Sequence, residues 1–170
     1  MALTPTSKIQ AVNIMLASIG EAPVSSLDDA TLADVSIAES ILDETNVEIQ
    51  SRGLHCNTEI NFPITPNTNG EIDLPVNCVS VDTTGQSIQT DVVQRGTRLY
   101  DRGQRSFTTF TGTLFVTMVL LLEFTDLPQH VRRYITVKSA RRFQNRILGS
   151  QTLSGFTQAD ENEALLYFEQ

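Results

Sequence analysis

The side chains best suited to chemistry in this sequence are two histidines and two cysteines. His55 and Cys56 are neighbours, and a thiol beside an imidazole is the composition of a nucleophile and its base. On a strand, however, neighbouring side chains point to opposite faces, so the two groups would not meet. Together with Cys78 and His130 they also lack the spacing of zinc ligands. We therefore expect no catalytic site, no metal and no cofactor.

Motifs for phosphate or acyl chemistry are missing from the sequence as well. Gly103 follows Asp101 and Arg102 as a single turn glycine, without the helix and lysine of a phosphate loop. Ser154 has no glycine two positions before it, which a nucleophile elbow requires. These observations predict that the chain is not an enzyme.

Charged side chains form two stripes on predicted helices. Four-residue steps place three cations on one side of the helix predicted for residues 129–148, and the polar side of an earlier helix is acidic. The cations have three candidate partners: the acidic helix of the same subunit, that of a neighbouring copy, or phosphate groups. The candidate contact between copies comprises Lys138, Arg141, Arg142 and Arg146 with Asp34, Glu39, Asp43, Glu44 and Glu48.

Helical periodicity predicts the elements that carry the acidic stripe. A first helix begins at the N-cap Ser7 and ends at Gly20, before Pro23. A second spans residues 29–52, with Asp28 or Asp29 as its cap and Gly53 as its end. Their apolar positions are Ile9, Val12, Leu16 and Ile19 in the first, and Ala33, Val35, Ile37, Ala38, Ile41, Leu42 and Ile49 in the second.

Residues 54–127 change to strand and turn patterns. Alternating segments around 79–82, 88–93 and 98–100 predict short strands, and residues 114–124 are rich in β-branched and aromatic residues. Gly112 is a predicted bulge or turn before the last of these. Such spacing is typical of a small antiparallel sandwich or barrel.

Helix returns after Pro128, which suits a first helical turn. The third helix covers residues 129–148 and stops at Gly149, with Val137, Ala140, Phe143 and Ile147 on its apolar face. A fourth begins near Gln158, where Thr157 and Asp160 are spaced as a weak capping box. We predict an α+β fold in which an antiparallel helical bundle, residues 1–53 and 128–170, carries a small antiparallel β lobe, residues 54–127.

Composition limits the partners of the chain. Its 170 residues carry a net charge of −8, which opposes DNA binding because affinity for the duplex rests on cations. No apolar run reaches the roughly 20 residues of a membrane span, so direct membrane insertion is not expected. The N-terminus lacks the pattern of a signal peptide, which predicts folding in a reducing cytoplasm with free thiols.

Four segments resemble the tail tubular protein A family, the head-to-tail adaptors of short-tailed bacteriophages. They are AVNIMLASIGEAPVSSL at 11–27, ILDETNVEIQSRG at 41–53, GTRLYDR at 96–102 and LPQHVRRYITVKSARRFQNRILGS at 127–150. Taken in this order, the four segments reach across most of the chain. One departure is Leu54, where the family often has a tryptophan.

The resemblance implies a structural role in the virion tail, with assembly in the host cytoplasm. Members form a ring, expected to be a dodecamer, below the portal protein. The ring supports a tail nozzle protein resembling tail tubular protein B and, in many phages, tail fibres. It extends the channel through which genomic DNA passes without sequence-specific binding, and it helps to retain the genome until ejection. The alternative reading is a nucleic-acid-binding or regulatory domain that contacts phosphates through helix 129–148.

Overall fold

The computed structural model describes residues 4–28, 33–149 and 158–168. The chain forms two compact units, Met1–Ile49 with Glu123–Gln170, and Gln50–Leu122. The first, the helical unit, contains the helices, and the second, the sheet unit, contains the strands. The structure confirms the predicted α+β class, because the N-terminal and C-terminal segments form a helical bundle and the segment between them forms antiparallel sheets.

Helix α1 spans Lys8–Ser18 and begins at the predicted residue. Ser7 Oγ accepts a hydrogen bond from the backbone of Gln10, and the Gln10 side chain accepts one from the Ser7 backbone, which completes a capping box. Val12 and Leu16 are buried, whereas Ile9 and Ile19 are half-buried. The apolar stripe therefore faces the core along the middle of the helix.

Helix α2 is described over Ala33–Gln50, so the predicted cap at Asp29 lies outside the described residues. Its C-terminus comes two residues earlier than predicted, at Gln50 rather than Arg52. The Gln50 carbonyl accepts hydrogen bonds from the Gly53 backbone at 3.1 Å and from the Asn57 side chain at 3.0 Å. These two donors replace the helical bonds that would continue α2. Among its apolar positions Ile37 is half-buried and Ala33 is exposed.

Helix α3 spans Gln129–Leu148, as predicted. Pro128 stands at its N-cap position, one residue before the first helical turn, and Gly149 is the left-handed residue that ends it. Val137, Ala140 and Phe143 are buried, but Ile147 is exposed, so the apolar face ends one turn before the helix does. Helix α4 covers Gln158–Phe168, and Thr157, half of its predicted capping box, lies outside the described residues.

Strands β1 (Thr58–Ile64), β5 (Leu114–Leu120) and β2 (Cys78–Thr83) form an antiparallel sheet in the order β1-β5-β2. Strands β3 (Val92–Arg95) and β4 (Arg98–Asp101) form a separate hairpin. The core of the sheet unit contains Ile72, Leu74, Val92, Leu99, Phe110, Leu114, Val116 and Met118.

Two predicted strand segments are shorter than expected. Residues 85–87 form a 3-10 turn and β3 begins only at Val92, because the Ser87 hydroxyl accepts a hydrogen bond from the Phe115 backbone and holds the turn against β5. Residues 121–124 do not continue β5, since a second 3-10 turn forms at Phe124–Asp126. Gly112 lies between the strands with a φ of 78°, in agreement with a turn.

Buried amides tie the two chain ends of the sheet unit together. Gln50 Nε2 donates to the Leu122 carbonyl at 2.9 Å, and Gln50 Oε1 accepts from the Leu122 backbone at 2.8 Å. Asn57 Nδ2 donates to the carbonyls of Gln50 and Leu120, and Asn57 Oδ1 accepts from the Leu54 backbone at 2.7 Å. The Gln50–Asn57 clasp therefore satisfies backbone groups at both ends of the unit.

Candidate intersubunit surface

Glu48 joins helices α2 and α3. Lys138 Nζ lies 2.9 Å from its Oε1, and Arg142 Nη2 lies 2.6 Å from its Oε2. Arg142 also donates from Nη1 to Thr45 Oγ1 at 3.2 Å. The hydrogen bond from Lys138 is the main reason that the pKa of Glu48 is lowered; partial burial opposes it, and Arg142 adds to it. Two cations of the basic stripe thus pair with the acidic helix inside one subunit.

Lys8 makes a second ion-pair cluster, between α1 and α2. Its Nζ lies 2.9 Å from Glu39 Oε1 and 3.0 Å from Asp43 Oδ2. Burial is the largest single effect on the pKa of Lys8 and lowers it, but the hydrogen bonds and charges of the two carboxylates together raise it above 10.5. Glu39 and Asp43 therefore face α1, a partner that the spacing of the acidic stripe did not indicate.

The remaining predicted residues divide into one pair and three separate charges. Arg141 donates to the Glu161 carboxylate on α4. Within the described residues, Asp34, Glu44 and Arg146 make no ion pair. Glu44 and Arg146 are exposed, and Asp34 is half-buried. Of the nine predicted residues, these three keep a charge that no described neighbour in the helical unit neutralises.

A groove of about 360 Å³ lies between α2 and α3 beside the Glu48 pairs. Its walls carry charges of both signs, and Ile41 gives it an apolar position. Such a mixed lining suits a protein side chain better than a small anion, because no net charge accumulates in it. The lining residues are Ile41, Glu44, Glu48, Arg142, Asn145 and Arg146.

The Glu48 cluster predicts a measurable pH dependence. Because the folded-state pKa of Glu48 is below its ordinary value of 4.5, its stabilisation is present above that pH and is lost as pH falls through the folded pKa. Glu48→Gln is expected to lower the free energy of unfolding by about 1 kcal/mol at pH 7, since the carboxylate is partly exposed.

Urea unfolding of both proteins between pH 7 and pH 3 measures this effect. The difference between wild type and Glu48→Gln should shrink as pH falls below 4.5 and through the lowered folded-state pKa of Glu48. Glu44→Gln, on the same helix, is the matched control and should change stability little at any pH. A difference that stays constant with pH would contradict the assignment of Glu48 as the charged partner.

Helix α3 is too deeply packed to serve as a DNA recognition helix. A recognition helix places one whole face in the major groove, but buried residues lie on most sides of α3: Val131, Tyr134, Ile135, Thr136, Val137, Ser139, Ala140, Phe143 and Gln144. Three of its cations are also engaged by carboxylates of α2 and α4. The geometry therefore disfavours the phosphate-binding alternative for helix 129–148.

Several polar side chains in α3 were not identified from its periodicity. Gln144 is fully buried and donates to the Ser18 carbonyl at the end of α1, at 2.9 Å. Thr136 Oγ1 donates to the Arg132 carbonyl at 2.7 Å. Arg132 in turn donates to the carbonyls of Leu127 and Thr125 before the helix. Hydrogen bonds that no hydropathy pattern signals thus connect α3 to the end of α1 and to the segment that precedes α3.

The structure changes the expected setting of His55 and Cys56. His55 and Cys56 lie in a turn, not on a strand as assumed from the sequence, because β1 begins only at Thr58. Burial raises the pKa of the Cys56 and Cys78 thiols, which lowers their thiolate fraction and their reactivity. Across the ranges that the structure describes, no group of three or more metal-ligating side chains converges.

The family comparison covers nearly the whole chain. Residues 9–170 match the family described as Tail tubular protein. Comparison with curated proteins gives no significant match. Among the described helices, none has the length and hydropathy needed to span a membrane. The chain therefore belongs to the tail tubular protein family and is a structural component of a phage tail.

Proposed function

We propose that this protein is a ring-forming adaptor that joins the portal to the tail nozzle of a short-tailed phage. Its ring, expected to contain twelve copies, extends the DNA channel and helps to retain the genome until ejection. The observation that carries the proposal is the family match over residues 9–170, together with the order of the four family-like segments. Tail fibres are a further proposed partner at the outer side of the ring.

The charges left over on α2 and α3 support a contact between copies. Lys138, Arg141 and Arg142 are engaged within the helical unit, so we propose that Asp34, Glu44 and Arg146 are the predicted residues that face a neighbour. A head-to-tail contact closes into a ring when the rotation per subunit divides the circle. Single exposed ion pairs contribute only about 0–1 kcal/mol each, so such a ring also buries apolar surface.

Measuring oligomerisation in solution distinguishes the adaptor function from a DNA-binding function. Size-exclusion chromatography with light scattering should show a closed oligomer of a single size, alone or after addition of a portal ring. Binding to duplex DNA should be weak and should change little with salt. A monomer with strong, steeply salt-dependent DNA affinity would support the alternative function instead.

Charge reversal at Arg146 tests the proposed surface. Arg146→Glu is expected to leave the melting temperature unchanged, because Arg146 is exposed and makes no ion pair within the described helices. The concentration needed for assembly should rise about tenfold, which corresponds to about 1.4 kcal/mol per contact.

The control is Arg142→Glu, which places a carboxylate beside Glu48 and should lower monomer stability directly. Comparing the two variants by light scattering and by thermal unfolding distinguishes an assembly residue from a folding residue. Normal assembly of Arg146→Glu would remove Arg146 from the intersubunit surface.

A further inference from the structure

The β3–β4 hairpin has one buried face and one arginine-bearing face. Val92, Leu99 and Asp101 point into the sheet unit and are buried. In the register of the hairpin, Arg95 lies directly opposite Arg98. The two-residue turn between them leaves both side chains exposed. The outward face of the hairpin therefore presents two cations at its tip.

This arrangement is unfavourable for the isolated chain. Like charges directly opposite each other on paired strands destabilise a hairpin. Arg98 has a carboxylate partner, Glu71 Oε1 at 2.8 Å from Nη1. Arg95 makes no ion pair with any residue that the structure describes. The charge of Arg95 is therefore available to a partner outside the described residues.

Aromatic rings hold both guanidinium groups in place. Arg95 Cζ lies 3.6 Å from the centroid of the Tyr100 ring, and Arg98 Cζ lies 4.5 Å from that of Phe107. The two rings contact each other edge to face at 4.9 Å between centroids. An aromatic ring lies against each guanidinium group. The N–H groups of Arg95 make no hydrogen bond within the described residues, whereas Arg98 donates from Nη1 to Glu71 Oε1. We call Arg95, Arg98, Tyr100 and Phe107 the arginine face.

Open guanidinium edges bind planar oxyanions, which here means carboxylates or phosphates. Net charge decides between them. The chain carries −8 overall, and the helical unit accounts for most of it, with 14 Asp and Glu against seven Lys and Arg. This charge repels nucleic acid, whereas it supplies carboxylates to a second copy of the same chain.

The helical unit offers a matching acceptor. A pocket of about 130 Å³ lies between the end of α1 and the described start of α2, with the carboxylates of Glu21 and Asp34 in its lining. Neither carboxylate makes an ion pair within the described residues. The other lining residues, Leu16, Ala22, Val24, Ala33 and Val35, are apolar and suit the aliphatic stem of an arginine.

We propose that the arginine face of one copy binds the Glu21–Asp34 pocket of a second copy, with Arg95 as the side chain that enters it. This inference rests on the proposed ring and specifies one of its contacts. Its contact is head-to-tail, because two different surfaces meet, and contacts of this type form rings.

Arg95→Glu tests the contact without disrupting the fold. The new carboxylate faces Arg98 across the hairpin, so an opposite-charge pair replaces a like-charge pair and offsets the lost stacking on Tyr100. Monomer melting should therefore stay close to wild type, while the concentration needed for assembly rises at least tenfold. Arg105→Glu is the matched control, because Arg105 is exposed in the same unit and stacks on no ring in the described residues.

Reversal of the acceptor completes the test. Asp34→Arg alone should weaken assembly as Arg95→Glu does, and the protein with both changes should regain most of the lost affinity. The readout is the oligomer fraction by light scattering at several concentrations. Wild-type assembly of Arg95→Glu, or no recovery in the double variant, would overturn the contact.

Three further outcomes separate this inference from its alternatives. If Arg95→Glu assembles normally but binds a duplex DNA probe less tightly than wild type, the arginine face binds nucleic acid and the inference is wrong. If wild type and Arg95→Glu form rings equally well, this contact is contradicted, but the proposed function is not. Wild-type protein that stays monomeric even with a portal ring contradicts both.

Discussion

Asn57→Asp is expected to destabilise the sheet unit by at least about 3 kcal/mol at pH 7. Asn57 is 3% exposed, and its Nδ2 donates to the carbonyls of Gln50 at 3.0 Å and Leu120 at 2.8 Å. Aspartate has nearly the same shape but places a buried negative charge against two carbonyl oxygens and leaves both without their donor. The helix end at Gln50 and the end of β5 are released together.

The pH dependence of this variant identifies the cause. Protonation restores a donor, so burial raises the folded-state pKa of the introduced aspartate above its unfolded value of about 3.9. The loss in free energy of unfolding relative to wild type is then largest above the folded-state pKa and diminishes as pH falls below it. Urea unfolding at pH 7 and at pH 4, each against wild type, measures the change.

Asn77→Asp is the matched control for the same substitution. Asn77 Nδ2 also donates to a carbonyl, that of Leu121 at 2.9 Å, but Asn77 is exposed and water can replace the lost bond. We expect a loss below about 1 kcal/mol. Equal losses in the two variants would show that the Gln50–Asn57 clasp does not hold the sheet unit together.

Gly70→Ala is expected to cost about 3 kcal/mol, because it combines two penalties. Gly70 has a φ of 76°, a conformation that costs an alanine about 1–2 kcal/mol. A Cβ at Gly70 would also lie 2.5 Å from the Thr108 carbonyl oxygen. Backbone atoms cannot rotate away, so the segment before the core residue Phe110 must move, at about 1–3 kcal/mol.

Gly96→Ala separates the two penalties. Gly96 has a similar φ of 64° but no atom within 4 Å of its Cβ position. The free energy of unfolding of the Gly96→Ala protein should fall by only about 1–2 kcal/mol. If the two alanine variants unfold at the same urea concentration, the close approach of residues 70 and 108 does not contribute to the loss of stability in Gly70→Ala.

Local signals explain which parts of the fold were predictable. Ser7, Pro128 and Gly149 set helix ends through their own backbone and side-chain chemistry, and the structure places α1 and α3 between them as predicted. The end of α2 is different, since Asn57 captures the Gln50 carbonyl from seven residues away. Helix ends set by such tertiary hydrogen bonds leave no mark in the periodicity of the helix itself.

The candidate surface was predictable only as two stripes of opposite charge. Periodicity assigns Lys138 and Glu48 to the polar sides of their helices but says nothing about which charges meet across 90 residues of sequence. The pairing of Lys8 with Glu39 likewise depends on the packing of α1 against α2. The arginine face was not anticipated, because it requires the register of the β3–β4 hairpin and the position of Phe107.

Electron microscopy of the purified protein mixed with a portal ring tests the central claim most directly. We predict a closed ring of identical subunits, stacked coaxially on the portal and open at its centre. Particles in which the portal remains bare while this protein stays monomeric would contradict the adaptor function.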